Sequence, residues 1–315
     1  MTDRHVIVGA GPVGRHVAQQ LADRGSEVLV VTRSGRELGI PGVQSVRLDA
    51  SDAAALAEVS AGASALYNCA NPGDYTQWEA TWPPLAEALL HAARRSGAVY
   101  AITGNLYPYG PVDVPMTETM PDAATDHKGV LRARMWAEAL AAHQAGELRT
   151  VEVRGSDYVG TGVGANGHIS RQLPTARKGR RAWILGDPDM PHTFTDVQDV
   201  ARLLIAAAED DSALGRTWHV PSNPPRSQRQ ALGEVLAAVG LPAVPISRIP
   251  VAVMRMGALG SGMLRELNEM AYQWTRPYRL DDSAARAHFG LEPTPWAEVC
   301  RRTAREEPLG AVAAR

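Results

Sequence analysis

One stretch near the start limits what this chain can fold into more than any other: "HVIVGAGPVGRHVAQQLADRG", residues 5–25. A β-branched run stops at Gly9, and Gly9, Gly11 and Gly14 then form G-x-G-x-x-G where helical spacing begins. The three glycines serve different physical ends, namely a tight turn, a close approach of backbone to a ligand, and close helix–strand contact. The helix they open, with Pro12 and Val13 in the turn before it, presents free N–H groups and a positive dipole end to an anion. The ligand this predicts is a pyrophosphate, hence a dinucleotide.

The same alternation continues. Short β-rich runs at residues 27–31, 45–48, 65–69, 99–103 and 149–153 are separated by helical patterns at 14–24, 53–57, 84–96 and 130–143. Strands alternating with helices in this way indicate βαβ units and a parallel sheet covered on both faces. The expected fold is α/β, a Rossmann-type doubly wound sheet, with residues 1–155 as the cofactor-binding core. Beyond Gly155 the pattern loosens. "GTGVGANGH" reads as loop, "RAWILGDPD" as strand and turn, and 197–208 as a helix; Ser227 is placed to cap another helix over 228–239. Residues 156–315 are expected to form mostly a smaller substrate lobe, with some segments returning to the core.

A chain of 315 residues, 45% hydrophobic, is long enough for one large domain or two modest ones. Its net charge of −2 gives no electrostatic reason to expect nucleic acid or an anionic membrane as partner. Cys69 and Cys300 fall in different elements and are expected as reduced thiols rather than a disulfide. The glycine motif leaves no room for a leader, and no apolar run approaches the roughly 20 residues of a membrane span, so a cytoplasmic location is expected.

The end of the second strand reads "VLVVTRSGRE". An NAD-preferring site places an Asp or Glu about 20 residues past the glycines to hold the ribose 2′-hydroxyl. Thr32, Arg33 and Ser34 stand there instead. A guanidinium beside a hydroxyl suits a 2′-phosphate, so NADP is favoured over NAD. Further on, "RLDASDAAAL" puts Asp49 at a strand end and Asp52 at a helix start, where it fits an N-cap.

With these segments in order, the chain resembles the short-chain dehydrogenase/reductase superfamily, in particular its extended and atypical epimerase/dehydratase branch. The likeness runs from Val6 to about Pro295 through "LDASD", "LYNCANP", "TGNLYPYGP", "MTETMP", "VEVRGSDYVGTG" and "HTFTDVQDVARLL". The resemblance implies a Rossmann sheet, a C-terminal substrate lobe and a bound small molecule. It also implies that Asp49 lies on the adenine side and that Cys69, Ala70 and Asn71 pass under the nicotinamide.

The family's catalytic residues do not carry over. The serine position falls on Asn105. Aligned through Glu138, the tyrosine and lysine of Tyr-x-x-x-Lys fall on Val130 and Arg134, so the pair is absent. Arg134 is left between binding the cofactor and forming a surface pair with Glu138. If the helix begins near Thr125, then His127, Val130 and Arg134 share one face, which would aim His127 at the site. If it begins later, Lys128 becomes available. Tyr107 and Tyr109 lie beside Asn105, and Asp157, which matches a family asparagine, is followed by Tyr158. Asn105, His127, Lys128 and Tyr107 are therefore the catalytic candidates, and Tyr109, Asp157 and Tyr158 the substrate candidates.

"ARKGRR" reads as a solvated loop, His168, His192 and His219 lack metal-ligand spacing, and no metal is expected. Trp78 and Trp82 at i, i+4 read as core or as a pocket wall. The function that follows is an NADP-dependent oxidoreductase, a reductase of a carbonyl or related unsaturated small molecule with an atypical proton donor. The alternatives are a non-catalytic NADP-sensing protein and a sugar-nucleotide epimerase or dehydratase. A homodimer is left open as the assembly.

Overall fold

The computed structural model describes residues 3–258 and 260–305, and their contacts divide into two compact units. In chain order the elements begin β1 (Arg4–Val8), α1 (Pro12–Asp23), β2 (Glu27–Thr32), β3 (Val43–Arg47), α2 (Ala53–Val59), β4 (Ala65–Asn68), α3 (Trp78–Ser96), β5 (Val99–Asn105), α4 (His127–Gln144) and β6 (Arg149–Gly155). There follow β7 (Asp157–Val159), α5 (Leu173–Ala176), β8 (Ala182–Leu185), β9 (Phe194–Asp196), α6 (Val197–Glu209), β10 (Thr217–His219) and α7 (Gln228–Ala237). The last are β11 (Ile246–Ile249), α8 (Val251–Ala258), α9 (Gly262–Glu269), α10 (Tyr272–Thr275), α11 (Ser283–Phe289) and α12 (Trp296–Ala304).

The first unit comprises Met1–Pro108, Asp122–Arg154 and Val200–Val220. Its parallel sheet has seven strands in the order β10-β6-β5-β4-β1-β2-β3. Val6, Ile7 and Val8 of β1 and all of β4 are buried, as strands covered on both faces must be. Strand order reverses between β1 and β4, whose register runs from His5↔Ala65 to Val8↔Asn68. Doubly wound sheets bind ligands at such a reversal, beyond the carboxyl ends of the strands.

Local chemistry explains several helix ends. Asp52 caps α2 by accepting from the Ala55 amide at 3.1 Å. α3 closes on Gly97, left-handed at φ 70°, a conformation that favours glycine. The start of α3 departs from expectation. Pro84 reads as a helix opener, yet the helix begins at Trp78 and carries both Pro83 and Pro84 inside it. Each proline removes a backbone donor, but Trp78 and Trp82 are fully buried and pack edge to face at 5.9 Å. The burial of two indoles offsets the lost hydrogen bonds.

The second unit comprises Tyr109–Pro121, Gly155–Asp199 and Pro221–Arg315. It holds two small sheets, β7 with β9 and β8 with β11, and a core that includes Val159, Leu173, Phe194, Leu232 and Val299. α7 opens on a reciprocal cap: Gln230 donates its amide to Ser227 Oγ, and Ser227 donates its amide to Gln230 Oε1. Both cysteines are free and buried. Among the described residues no helix is long and apolar enough to cross a membrane.

Candidate functional site

The glycine turn between β1 and α1 is packed as its sequence demands. A Cβ on Gly14 would lie 2.0 Å from the Gly9 carbonyl oxygen, and one on Gly9 would lie 2.7 Å from that of Cys69. Gly9 also has φ 103°, so an L side chain there would be strained. Gly11 differs: it has an ordinary φ of −68°, and a Cβ there would meet nothing within 4 Å. It caps α1 with no side-chain bond, and the first α-helical bond runs from Arg15 N to Gly11 O. The amides of Val13 and Gly14 therefore precede the helix's own bonding. Close-packed glycines around an open, uncapped helix start fit a dinucleotide pyrophosphate.

At the end of β2, Thr32 Oγ1 accepts from the Gly35 amide at 3.0 Å and Ser34 Oγ from that of Arg36 at 3.3 Å. A tight turn results, with Arg33 and Arg36 both exposed. Asp49 accepts from the amide and hydroxyl of Ser51, and these bonds, with the Arg33 charge nearby, hold its carboxyl below the ordinary range. Arg36, which the sequence motif does not single out, is a second cation on the turn that carries Arg33.

At the carboxyl end of β4, buried Asn68 donates from Nδ2 to Tyr100 Oη at 3.1 Å and accepts from the Ala70 amide at 3.3 Å. These bonds fix Cys69 and Ala70 beside the glycine turn. Burial pushes the Cys69 thiol up to about 12, with Thr103 donating to its sulfur. Cys69 is therefore a packing residue there and not a nucleophile. At the end of β5, Asn105 Oδ1 accepts from the Tyr107 amide at 3.1 Å.

α4 buries one face and exposes the one that carries His127, Val130 and Arg134. Asp126 is its N-cap and accepts from the Gly129 amide at 2.8 Å. His127, Val130 and Arg134 do share a face, but it is the exposed one: Val130 is 48% exposed. Arg134 lies 3.6 Å from Glu138 as a surface pair. The buried stripe runs instead through Lys128, Leu131, Arg132, Met135, Trp136 and Ala139. Counting back from the apolar residues at i+3 and i+4 spacing would have found it; two cations inside an apolar stripe concealed it. Lys128 places Nζ 5.4 Å from the centre of the Tyr75 ring. Arg132 donates to the Thr103 carbonyl at 2.7 Å and lies over Trp82 at 4.8 Å.

Behind this face is a buried ion network that the sequence did not suggest. Arg154 donates from Nε to Glu152 at 2.7 Å and with both Nη atoms to Asp122 at 2.6 and 3.0 Å. Burial raises the Glu152 carboxyl, opposed by Arg154 and Arg132. Gly104 is needed here because a Cβ would sit 2.7 Å from a Glu152 carboxylate oxygen. Asp122 and Ala124, whose amide donates to the Pro108 carbonyl at 2.9 Å, tie the segment before α4 to β6 and to the end of β5.

Tyr109, Asp157 and Tyr158 belong to the second unit. Asp157 Oδ2 lies 2.7 Å from His192 Nε2 and 3.3 Å from His168 Nε2. Trp274 Nε1 donates to the same His168 nitrogen at 3.0 Å. Burial drives His168 down to about 4 against the pull of Asp157. Burial alone would raise Asp157, but the imidazoles of His168 and His192, with Arg171, outweigh it and bring the carboxyl to about 2. Tyr109 is buried, and the Tyr158 ring occupies the place a Gly155 side chain would take. Among the described residues no cluster of three His, Cys, Asp or Glu could hold a metal ion.

The family model for the NAD dependent epimerase/dehydratase family matches residues 5–220. The chain belongs to that family. A 2-alkyl-3-oxoalkanoate reductase from Stenotrophomonas maltophilia (strain K279a) is 27% identical over 319 residues, covering 91% of this chain and 94% of the relative. Among solved structures, the fold is shared with the DesIV double mutant, a dTDP-glucose 4,6-dehydratase from Streptomyces venezuelae with NAD and DAU bound (TM-score 0.76, 20% identity, 96% of both chains). It is shared too with a UDP-glucuronic acid 4-epimerase from Bacillus cereus in complex with NAD (TM-score 0.77, 15% identity, 96% of this chain and 97% of the other). Family and relatives make this an NAD(P)-dependent oxidoreductase-type enzyme that binds a nicotinamide dinucleotide.

Proposed function

We propose that this family member is an NADPH-dependent reductase of a small carbonyl compound, a 3-oxo acid being the first class to try. The observation that carries the reading is the cofactor cradle: an open, uncapped α1 start at Gly11 joined to a β2 turn, residues 32–36, that carries Arg33 and Arg36, the first carboxylate, Glu37, coming only after it. On this reading Gly9 to Gly14 hold the pyrophosphate, Thr32, Arg33 and Ser34 take the 2′-phosphate, and Asp49 with Cys69 to Asn71 border the adenine and nicotinamide ends. The bound cofactor supplies a hydride.

The chain's own residues supply the rest. Asn105, at the end of β5, gives a hydrogen bond to the carbonyl. Lys128, the cation at the start of the buried α4 face, stabilises the charge that grows on its oxygen. The reductase relative supports the reaction class and the 3-oxo acid. An epimerase or dehydratase must oxidise a sugar hydroxyl transiently; the reductase relative favours simple reduction over that chemistry. The test is NADPH oxidation, followed by absorbance, with 3-oxo acids, ketones, aldehydes and imines, and with NADH in parallel. NADPH turnover with one class is expected; no turnover with any of them would end the reductase reading.

A further inference from the structure

The proton that completes a carbonyl reduction has no obvious source on α4, and the structure brings a phenol to that helix from another element. We infer that Tyr75 is the proton donor of this enzyme and that Lys128 is its charge partner; this rests on the reductase reading. Tyr75 opens a short 3-10 turn, Tyr75–Gln77, in the connection that leaves β4. Lys128 is in the first turn of α4, which follows β5. β4 and β5 are neighbours, in register from Ala65↔Val99 to Asn68↔Ile102. Phenol and ammonium therefore meet beyond the carboxyl ends of adjacent strands, one place over from the glycine turn of β1.

The placement of Tyr75 is built rather than incidental. Asp74 caps the turn, accepting from the amide and the hydroxyl of Thr76 at 2.9 and 2.7 Å. Trp78 Nε1 donates to the Pro72 carbonyl at 2.9 Å, pinning the loop before it. The Tyr75 ring packs on Trp78 at 4.9 Å and is partly buried, while Lys128, 2% exposed, lies 5.4 Å from the ring centre. His127, by contrast, is exposed.

The chemistry balances. Hydride from the reduced nicotinamide forms the new C–H bond at the carbonyl carbon, and the C=O π pair moves to oxygen. That oxygen takes the proton from Tyr75 Oη, whose O–H pair stays on the phenolate, with the Lys128 ammonium 5.4 Å from its ring centre. Water then returns a proton to Tyr75. The ammonium offsets the negative charge on the phenol oxygen at the moment it forms.

Tyr75→Phe keeps the ring, its packing on Trp78 and its contact with Lys128, and removes only the hydroxyl that carries the proton. The variant is compared with wild type for kcat, KM and the pH profile of kcat on the carbonyl that wild type reduces, together with NADPH affinity by fluorescence and thermal midpoint. The expected result is a fall in kcat of about 10²- to 10⁴-fold, the range for a positioned proton donor, with one limb of the pH profile gone and NADPH affinity and thermal midpoint unchanged. Lys128→Met should lower kcat in the same way. Unchanged kcat in Tyr75→Phe, or loss confined to Tyr107→Phe, would overturn the assignment and leave the reductase reading standing. A fall in kcat accompanied by equal losses of NADPH affinity and thermal midpoint would make Tyr75 a structural support and overturn it too. Failure of the wild type to oxidise NADPH with any carbonyl is the separate result that removes the reductase reading itself.

Discussion

His168→Gln tests the buried Asp157–His168–His192 cluster, because glutamine can still accept from Trp274 Nε1 but cannot titrate. In the folded protein His168 is held near 4 by burial, below its ordinary 6.5. Between those values the unfolded chain binds a proton that the folded chain refuses, so stability falls as pH drops from 6.5 toward 4. At about 1.4 kcal/mol per pH unit, that gap is worth about 3 kcal/mol, most of it lost by pH 4.5. Asp157 acts in a lower window: its carboxyl, near 2, gives stability present above the ordinary 3.8 and lost as pH falls toward 2. Urea unfolding followed by tryptophan fluorescence, at steps from pH 7.5 to 4.5, measures the difference. Wild type should lose about 2 to 3 kcal/mol more than His168→Gln over that range. Parallel curves for the two proteins would refute the buried, neutral histidine.

Arg33→Asp should weaken NADPH binding by about 10- to 150-fold, the worth of a charge-assisted contact of about 1.5–3 kcal/mol, and change NADH binding little. Fluorescence titration reads it, and equal affinity of the wild type for both cofactors would sink the assignment of Arg33. Gly11→Val and Gly14→Ala should part company. The first has room for its side chain and should keep the thermal midpoint while losing cofactor binding; the second collides with the Gly9 carbonyl and should lower the midpoint as well. Asp122→Ala strips the paired Nη atoms of buried Arg154 of their carboxylate and should cost about 1–3 kcal/mol in a denaturant titration.

The sheet and the cofactor turn were legible because their signals are local. A β-branched run followed by glycines at fixed spacing specifies one backbone path, and β1, β2 and β4 to β6 lie within a residue or two of where the pattern places them. α4 was legible as a helix, but not which of its faces is buried. A sequence argument sends Lys128 and Arg132 outward because cations rarely go inside unpaired. What reverses this is tertiary: the Thr103 carbonyl, the Trp82 and Tyr75 rings and the charge of Glu152, all contributed by other elements of the chain. The Asp157 cluster was hidden for the same reason, since His168, His192 and Trp274 share no spacing in sequence and meet only through folding.

The path of the chain through the first unit also has a consequence for synthesis. β10 supplies the edge of the sheet beside β6, with Thr217↔Glu152 and His219↔Arg154 in register, and Val200, Leu203 and Leu204 of α6 are buried. The first unit is thus left unfinished while residues 155–199, which belong to the second, emerge from the ribosome. Until residue 220 arrives, β6 has an open edge of the kind that invites pairing with another chain. A nascent chain stalled before that point, or a fragment cut near residue 155, should be prone to aggregate, so the two units cannot be separated by a single cut without breaking the sheet.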